Sequence, residues 1–173
     1  MYISVIVLWI GVQKSHCRLG QLNLWRRLSM IEKINHNDHL IAIILSNKFS
    51  EPGIHFLTDD NTSQQLGFMH HPKGKIIKPH IHNPVKREVH HTQEVLFIKK
   101  GRLRVDFFTE EHKYLESRIL ETGDVILLAS GGHGFTMLEP TEMIEVKQGP
   151  YIGDSDKTRF HSSLPKKLNY GDS

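Results

Sequence analysis

The chain of 173 residues has one cysteine, Cys17. A lone thiol closes no intramolecular disulfide and builds no thiolate zinc site of the repeated-pair type, so the fold must come from packing, and a reducing cytoplasm is the simplest home. Charge of neither sign is in large excess: 22 Lys and Arg stand against 19 Asp and Glu, for a net charge of +3. The basic residues lie among acids and lack the clustering that phosphate backbones need, which argues against a nucleic-acid partner. Apolar runs are short. Tyr2 to Val12 has eleven residues, too few to span a bilayer, with no basic residue before it and no small-residue cleavage site after it. It predicts neither an integral membrane span nor a signal peptide. A convincing long helical period is missing as well, which leaves strands to build the domain.

The first 29 residues differ in character from the rest of the chain. Lys14, Arg18, Arg26 and Arg27 are scattered among Leu and Trp before Met30, so residues 1–29 read as an N-terminal extension, upstream of a true start at Met30 or serving as a weak peripheral anchor. The domain is expected over residues 30–153, one domain by length. Leu40 to Leu45 is a continuous aliphatic run, Ile54 to Thr58 and Gln64 to His70 alternate, and turn residues separate them (Glu51-Pro52-Gly53, Asp59-Asp60-Asn61). Tyr114 to Leu120 fits a further strand. Short strands at even intervals predict an all-β sandwich or barrel. Residues 154–173 form a polar tail that is expected to bury little, and within GPYIGDSDKTRF the charged Lys157 and Arg159 either approach a barrel mouth or solvate a loop, the loop being the simpler reading.

Within this pattern the segment GKIIKPHIHNPVKREVHHTQEVLFIKKG, residues 74–101, carries the candidate chemistry. His80 and His82 are two apart; on a strand they would share a face and could reach one metal ion. Glu94 opens an apolar run that looks like one arm of a hairpin turning at Lys100-Gly101. That hairpin would pair Ile98 with Leu103, Leu96 with Val105 and Glu94 with Phe107, putting the carboxylate on an apolar face, where it needs a partner. A second hairpin, Gly134 to Leu138 and Met143 to Gln148, would pair Met137 with Ile144, Phe135 with Val146 and His133 with Gln148. Polar groups thus recur at one end of both apolar faces and point to one shared pocket of Glu94, His133 and Gln148. His90 and His91 are adjacent, so at most one of them can enter it from a strand; the same holds for His70 and His71.

These residues carry a resemblance. G-x5-H-x-H followed by E-x6-G, here Gly74, His80, His82, Glu94 and Gly101, is similar to the first motif of the cupin superfamily. Eleven residues, Asn83 to Gln93, separate His82 from Glu94, more than the family usually has. The second motif is matched in part: Gly123, Gly131 and His133 are present, Ala129 replaces a proline, and Met137 or Leu138 stands where asparagine is expected. The resemblance covers residues 74–148 and implies a jelly-roll β-barrel of two packed antiparallel sheets, with His80, His82, Glu94 and His133 holding a divalent transition metal inside. The long spacer leaves open whether His90 or His91 replaces one of them. The resemblance also implies a homodimer, for which Leu40 to Leu45 is a candidate interface if it is not part of the second sheet.

Imidazoles and a carboxylate make a mixed donor set that suits Fe, Mn, Ni, Zn or Cu, and open coordination positions would allow a small-molecule ligand to bind. The chain thus reads as a metal-binding protein for a small polar ligand, by dioxygenation or isomerisation if catalytic, or as a non-catalytic ligand-binding or sensing module. A third reading is a metal-free sugar-nucleotide epimerase or isomerase with Tyr114 or Tyr151 as acid. The stretches HHTQEVLFIKKGRLRVDFF and EMIEVKQGPY resemble small bacterial single-domain cupins associated with surface-polysaccharide synthesis, which makes a carbohydrate-related ligand the expectation.

Overall fold

A computed structural model describes residues 30–171, so the expectation for residues 1–29 lies outside it. The chain enters through a hairpin of β1 (Ile31–His36) and β2 (His39–Leu45), whose two-residue turn Asn37-Asp38 has φ of 47° and 62°. Short polar side chains tolerate that left-handed turn, and its twist matches the flanking strands. β3 (Gly53–Phe56) and β4 (Gly67–His70) form a second, short hairpin. After a long segment without regular structure come β5 (Glu94–Lys100), β6 (Arg102–Phe108), β7 (Tyr114–Glu121), β8 (Val125–Leu128), β9 (Gly132–Met137) and β10 (Glu142–Lys147). Among the described residues the one helical element is a 3-10 turn, Gly153–Asp156, and no helix is long and apolar enough to cross a membrane. The all-β expectation holds.

All pairings are antiparallel, in a five-stranded sheet of order β1-β2-β8-β5-β10, a three-stranded sheet of order β7-β6-β9 and the β3–β4 hairpin. The core lies between the two larger sheets. Ala42, Ile44, Leu96, Ile98, Ile126 and Leu128 from one meet Leu103, Val105, Phe107 and Leu120 from the other. The opposite face of the five-stranded sheet is also covered: Ile43, Leu45 and Leu127 pack with Phe49, Leu57 and Leu66 around the β3–β4 hairpin. A strand buried on both faces reads as an unbroken apolar run, which is why Leu40 to Leu45 does not alternate. The run is therefore in the second sheet, inside the chain, and is not free to act as an interface.

Both expected hairpins need correction. Leu96, Ile98, Leu103, Val105 and Phe107 do share the core, but β5 and β6 belong to different sheets and face each other across it. Gly101, at φ +94°, turns the chain from one sheet to the other. Glu94 is paired with Leu128 and Lys147, not with Phe107. β9 and β10 are divided in the same way: β9 pairs with β6, placing Phe107 beside His133, and β10 pairs with β5, placing Phe97 beside Ile144 and Val95 beside Val146. The face of β10 is consequently the reverse of the one expected. Met143 packs against the core, whereas Ile144 and Val146 lie exposed on the outer face beside Phe97. A one-residue change of register exchanges every side chain of a strand between faces.

The tail is bound more closely than its polarity suggests. Asn169 accepts the Ser117 amide at 2.6 Å and donates its own amide to the Tyr114 hydroxyl at 3.0 Å, while Phe160 packs edge-on against Phe108 at 5.3 Å. These contacts fold the tail back along the three-stranded sheet.

Candidate functional site

Glu94 is the first residue of β5 and His133 the second of β9, so each sits at the start of a strand in one of the two facing sheets. Lateral pairing puts His133 on the face of Phe107, which is fully buried, and Glu94 on the face of Leu128. The two side chains meet at the open end of the core, His133 Nε2 lying 3.2 Å from Glu94 Oε2. Glu94 is 13% exposed and His133 28%, so the pair is sheltered but reachable. The hydrogen bond with His133 holds the Glu94 carboxyl below its ordinary range; burial opposes this, and the positive charges of His133, Lys157 and Lys147 assist it. The shared pocket expected from strand parity exists for these two residues.

The pair lies in a cleft of about 650 Å³ that follows β9, an edge strand of the three-stranded sheet. Gly132 and Gly134 alternate onto the other face of β9, beside Phe108 and Asp106. Gly132 has a packing reason: a Cβ there would come within 3.0 Å of the Phe160 ring and 3.2 Å of the Phe108 side chain. Gly131, at φ +67°, could carry no side chain either, since its Cβ would sit 2.6 Å from the Phe108 carbonyl oxygen. Asp106 is a buried carboxylate with all the partners it needs. It accepts hydrogen bonds from Arg104 Nε at 2.8 Å, Arg104 Nη2 at 3.0 Å and the Ser117 hydroxyl at 2.6 Å. The remaining wall is the segment from Asp156 to Phe160, with Ser162 and Leu164.

His80 and His82 are elsewhere. They lie in the exposed stretch without strand structure between β4 and β5, with ring centroids 5.4 Å apart and His80 Nδ1 at 3.0 Å from the Lys78 carbonyl. Pro79 and Pro84 flank them; each lacks an amide donor, and each disfavours a ladder through its neighbourhood. His90 and His91 line a second cleft of about 690 Å³ together with His36 and His39, and His90 stands 3.8 Å from Glu88 with both side chains exposed. Gln148 is held by the backbone: its side-chain oxygen accepts the Gln93 amide at 2.7 Å and its nitrogen reaches Ser63 at 3.3 Å. Gln93 in turn accepts from Ser63 and from the Gln64 amide, so these glutamines tie down the base of the long segment.

The structure thus brings together two of the four expected ligands and keeps the other two close to each other but apart from the first pair. Among the described residues no group of three His, Cys, Asp or Glu converges. Glu94 and His133 alone are brought together on strands, one oxygen and one nitrogen donor of the kinds that suit a divalent transition metal. Neither candidate tyrosine lines the cleft. The Tyr114 hydroxyl is engaged by Ser117 at 2.8 Å and by the Asn169 carbonyl at 3.1 Å, and Tyr151 lies under Lys147 with the ammonium 5.1 Å from the ring. Of the two alternatives for Lys157 and Arg159, a solvated loop was the simpler expectation, whereas both line the cleft. The signal that could have found them was Phe160, an apolar residue directly after Lys157-Thr158-Arg159 in a polar tail. No family model, curated protein or solved structure matches the chain.

Proposed function

We propose that the protein is a cupin-type binder of a small polar, carbohydrate-related ligand, acting in the cytoplasm through a divalent transition metal. In this reading the five- and three-stranded sheets are the halves of a jelly-roll barrel, and His80, His82, Glu94 and His133 hold the ion. The observation that carries the reading is the Glu94–His133 pair, 3.2 Å apart, lining the open cleft along β9. A carboxylate and an imidazole on rigid strands are preorganised donors, and the long segment with His80 and His82 supplies the rest by folding toward β9, whose outer edge has no strand partner among the described residues. When bound, the metal supplies Lewis-acid polarisation of a ligand oxygen. The chain's own part is to orient the ligand: Glu94 accepts a hydrogen bond from a hydroxyl, His133 presents a nitrogen, and the Phe135 ring, 5.4 Å from that of His133, limits the access of water to the pair.

Elemental analysis of the purified full chain is expected to find close to one Fe, Mn, Ni or Zn per chain. Absence of metal together with no uptake of any of these ions overturns the reading. The homodimer expected from the resemblance moves from Leu40–Leu45 to the exposed patch of Phe97, Ile144 and Val146 on the outer face of β5 and β10.

A further inference from the structure

Three carboxylates line the cleft along β9, and each has its own partner. Glu94 is matched by His133 at 3.2 Å, Asp106 by Arg104 at 2.8 Å and Asp156 by Lys147 at 2.9 Å. What remains on the wall is cationic. Among the described residues Lys157 has no acidic partner within 4.0 Å, and Arg159 has one long contact, 3.8 Å to Asp154, with both of those side chains largely in solvent. Such a contact contributes little and leaves the guanidinium available.

The segment carrying these cations is anchored at both ends. On one side Asp156 is fastened to Lys147, with side chains 11% and 20% exposed. On the other, Phe160 stacks on His112 with centroids 4.1 Å apart and rings 5° from parallel, and meets Phe108 edge-on. Lys157, Thr158 and Arg159 are therefore held beside the cleft, which lowers the ordering cost of using them. Thr158 adds a hydroxyl between the two charges. A guanidinium fork, an ammonium and a hydroxyl match an oxyanion, whose oxygens accept several charge-assisted hydrogen bonds at once.

We propose that Lys157, Thr158 and Arg159 form an oxyanion subsite, so that the cleft takes a hydroxylated small molecule bearing one phosphate or carboxylate. The proposal rests on the reading of this cleft as the ligand site, and it is independent of the metal. The Glu94–His133 pair then faces the hydroxyl part of the ligand while the 157–159 segment holds its charged end.

The test is a titration of the chelator-treated full chain with inorganic phosphate, followed through the Arg159 Nε–H and backbone amide resonances of residues 157–160. Calorimetry then compares a hexose phosphate, a hexuronate and the neutral hexose. Saturable phosphate shifts are expected at these residues, and K157Q/R159Q should weaken binding by about tenfold or more with an unchanged melting temperature, because both side chains are exposed. At least one of the two charged sugars should bind about tenfold tighter than the neutral one; which of them does so distinguishes phosphate from carboxylate. Shifts that do not saturate, wild-type affinity in K157Q/R159Q, or a neutral hexose that binds as well as both charged sugars overturns the proposal. Metal uptake by K157Q/R159Q should equal that of the unmodified chain, which keeps the two readings apart: in the unmodified chain, metal uptake without saturable phosphate binding sinks only the subsite, and saturable phosphate binding without metal uptake sinks only the metal.

Discussion

Two aliphatic stretches of this chain have opposite fates. In β2, Ile41 to Leu45 are at most 8% exposed, while in the segment before β5 Ile76 is 80% and Ile81 87% exposed. Both contain isoleucines, and their neighbours decide which of these are buried. β2 is hydrogen-bonded to β1 and β8 and covered on both faces, so each side chain that enters it gains contacts already in place. The other stretch carries Pro79 and Pro84, pairs with no strand among the described residues, and leaves its apolar groups in water. The same contrast divides the candidate ligands. His133 and Glu94 are positioned by strands whose registers are set by the core, whereas His80 and His82 belong to a segment whose placement depends on what it meets.

The largest effect should come from cutting the covered stretch. Ile43→Ala removes a fully buried side chain and is expected to cost about 2–5 kcal/mol in urea unfolding, while Ile81→Ala should stay within about 0.5 kcal/mol of the unmodified chain. Equal losses would show that the exposed stretch packs in solution and would dissolve the contrast.

Ligand substitutions sharpen it. Alanine at His80, His82 or Glu94, and similarly at His133, should lower metal affinity by more than the roughly 10–100-fold typical of groups that only support a ligand, and His91→Ala should change it little. The check is metal titration of the single variants. If His90→Ala or His91→Ala empties the site while His82→Ala does not, the long spacer has displaced the motif histidine.

A smaller, concentration-dependent effect is expected at the outer patch. Ile144→Lys with Val146→Glu should convert a dimer to a monomer by light scattering with little change in thermal stability, since both side chains are exposed. An unchanged mass would rule this face out as the contact between copies.

The smallest effect concerns pH. The Glu94 carboxyl is held below its ordinary range, so its contribution to stability is fully present above the unfolded-state value and is lost as pH falls through the lower folded-state value. Stability measured from neutral to acidic pH should therefore fall less steeply in Glu94→Gln than in the unmodified chain. Parallel curves would mean that the pair with His133 adds nothing to the folded state.

Much of this organisation was legible along the chain. Tyr114 to Leu120 announced β7, and alternation placed Leu96, Ile98, Leu103, Val105 and Phe107 on one buried face. Glu94 and His133 were expected to meet, and they do. Illegible was the partner of each strand. Lys100-Gly101 closes a hairpin or swings the chain to the facing sheet with the same residues, because a turn determines direction locally while pairing is decided by whichever distant strand offers a matching edge. That choice inverted the face of β10, drew Gln148 away from the cleft to Gln93, and brought Lys157 and Arg159 to its wall.

The amino-acid sequence by itself determined that this is a strand-built domain with one apolar face per hairpin arm and a carboxylate and a histidine at its edge, because side-chain periodicity, turn residues and the cost of a buried charge act over a few neighbouring positions. Only the tertiary structure decided which strands share a sheet, that both faces of β2 are covered, and that the tail turns back to line the cleft. Those outcomes depend on contacts between residues far apart in the chain, whose free energies no local pattern contains.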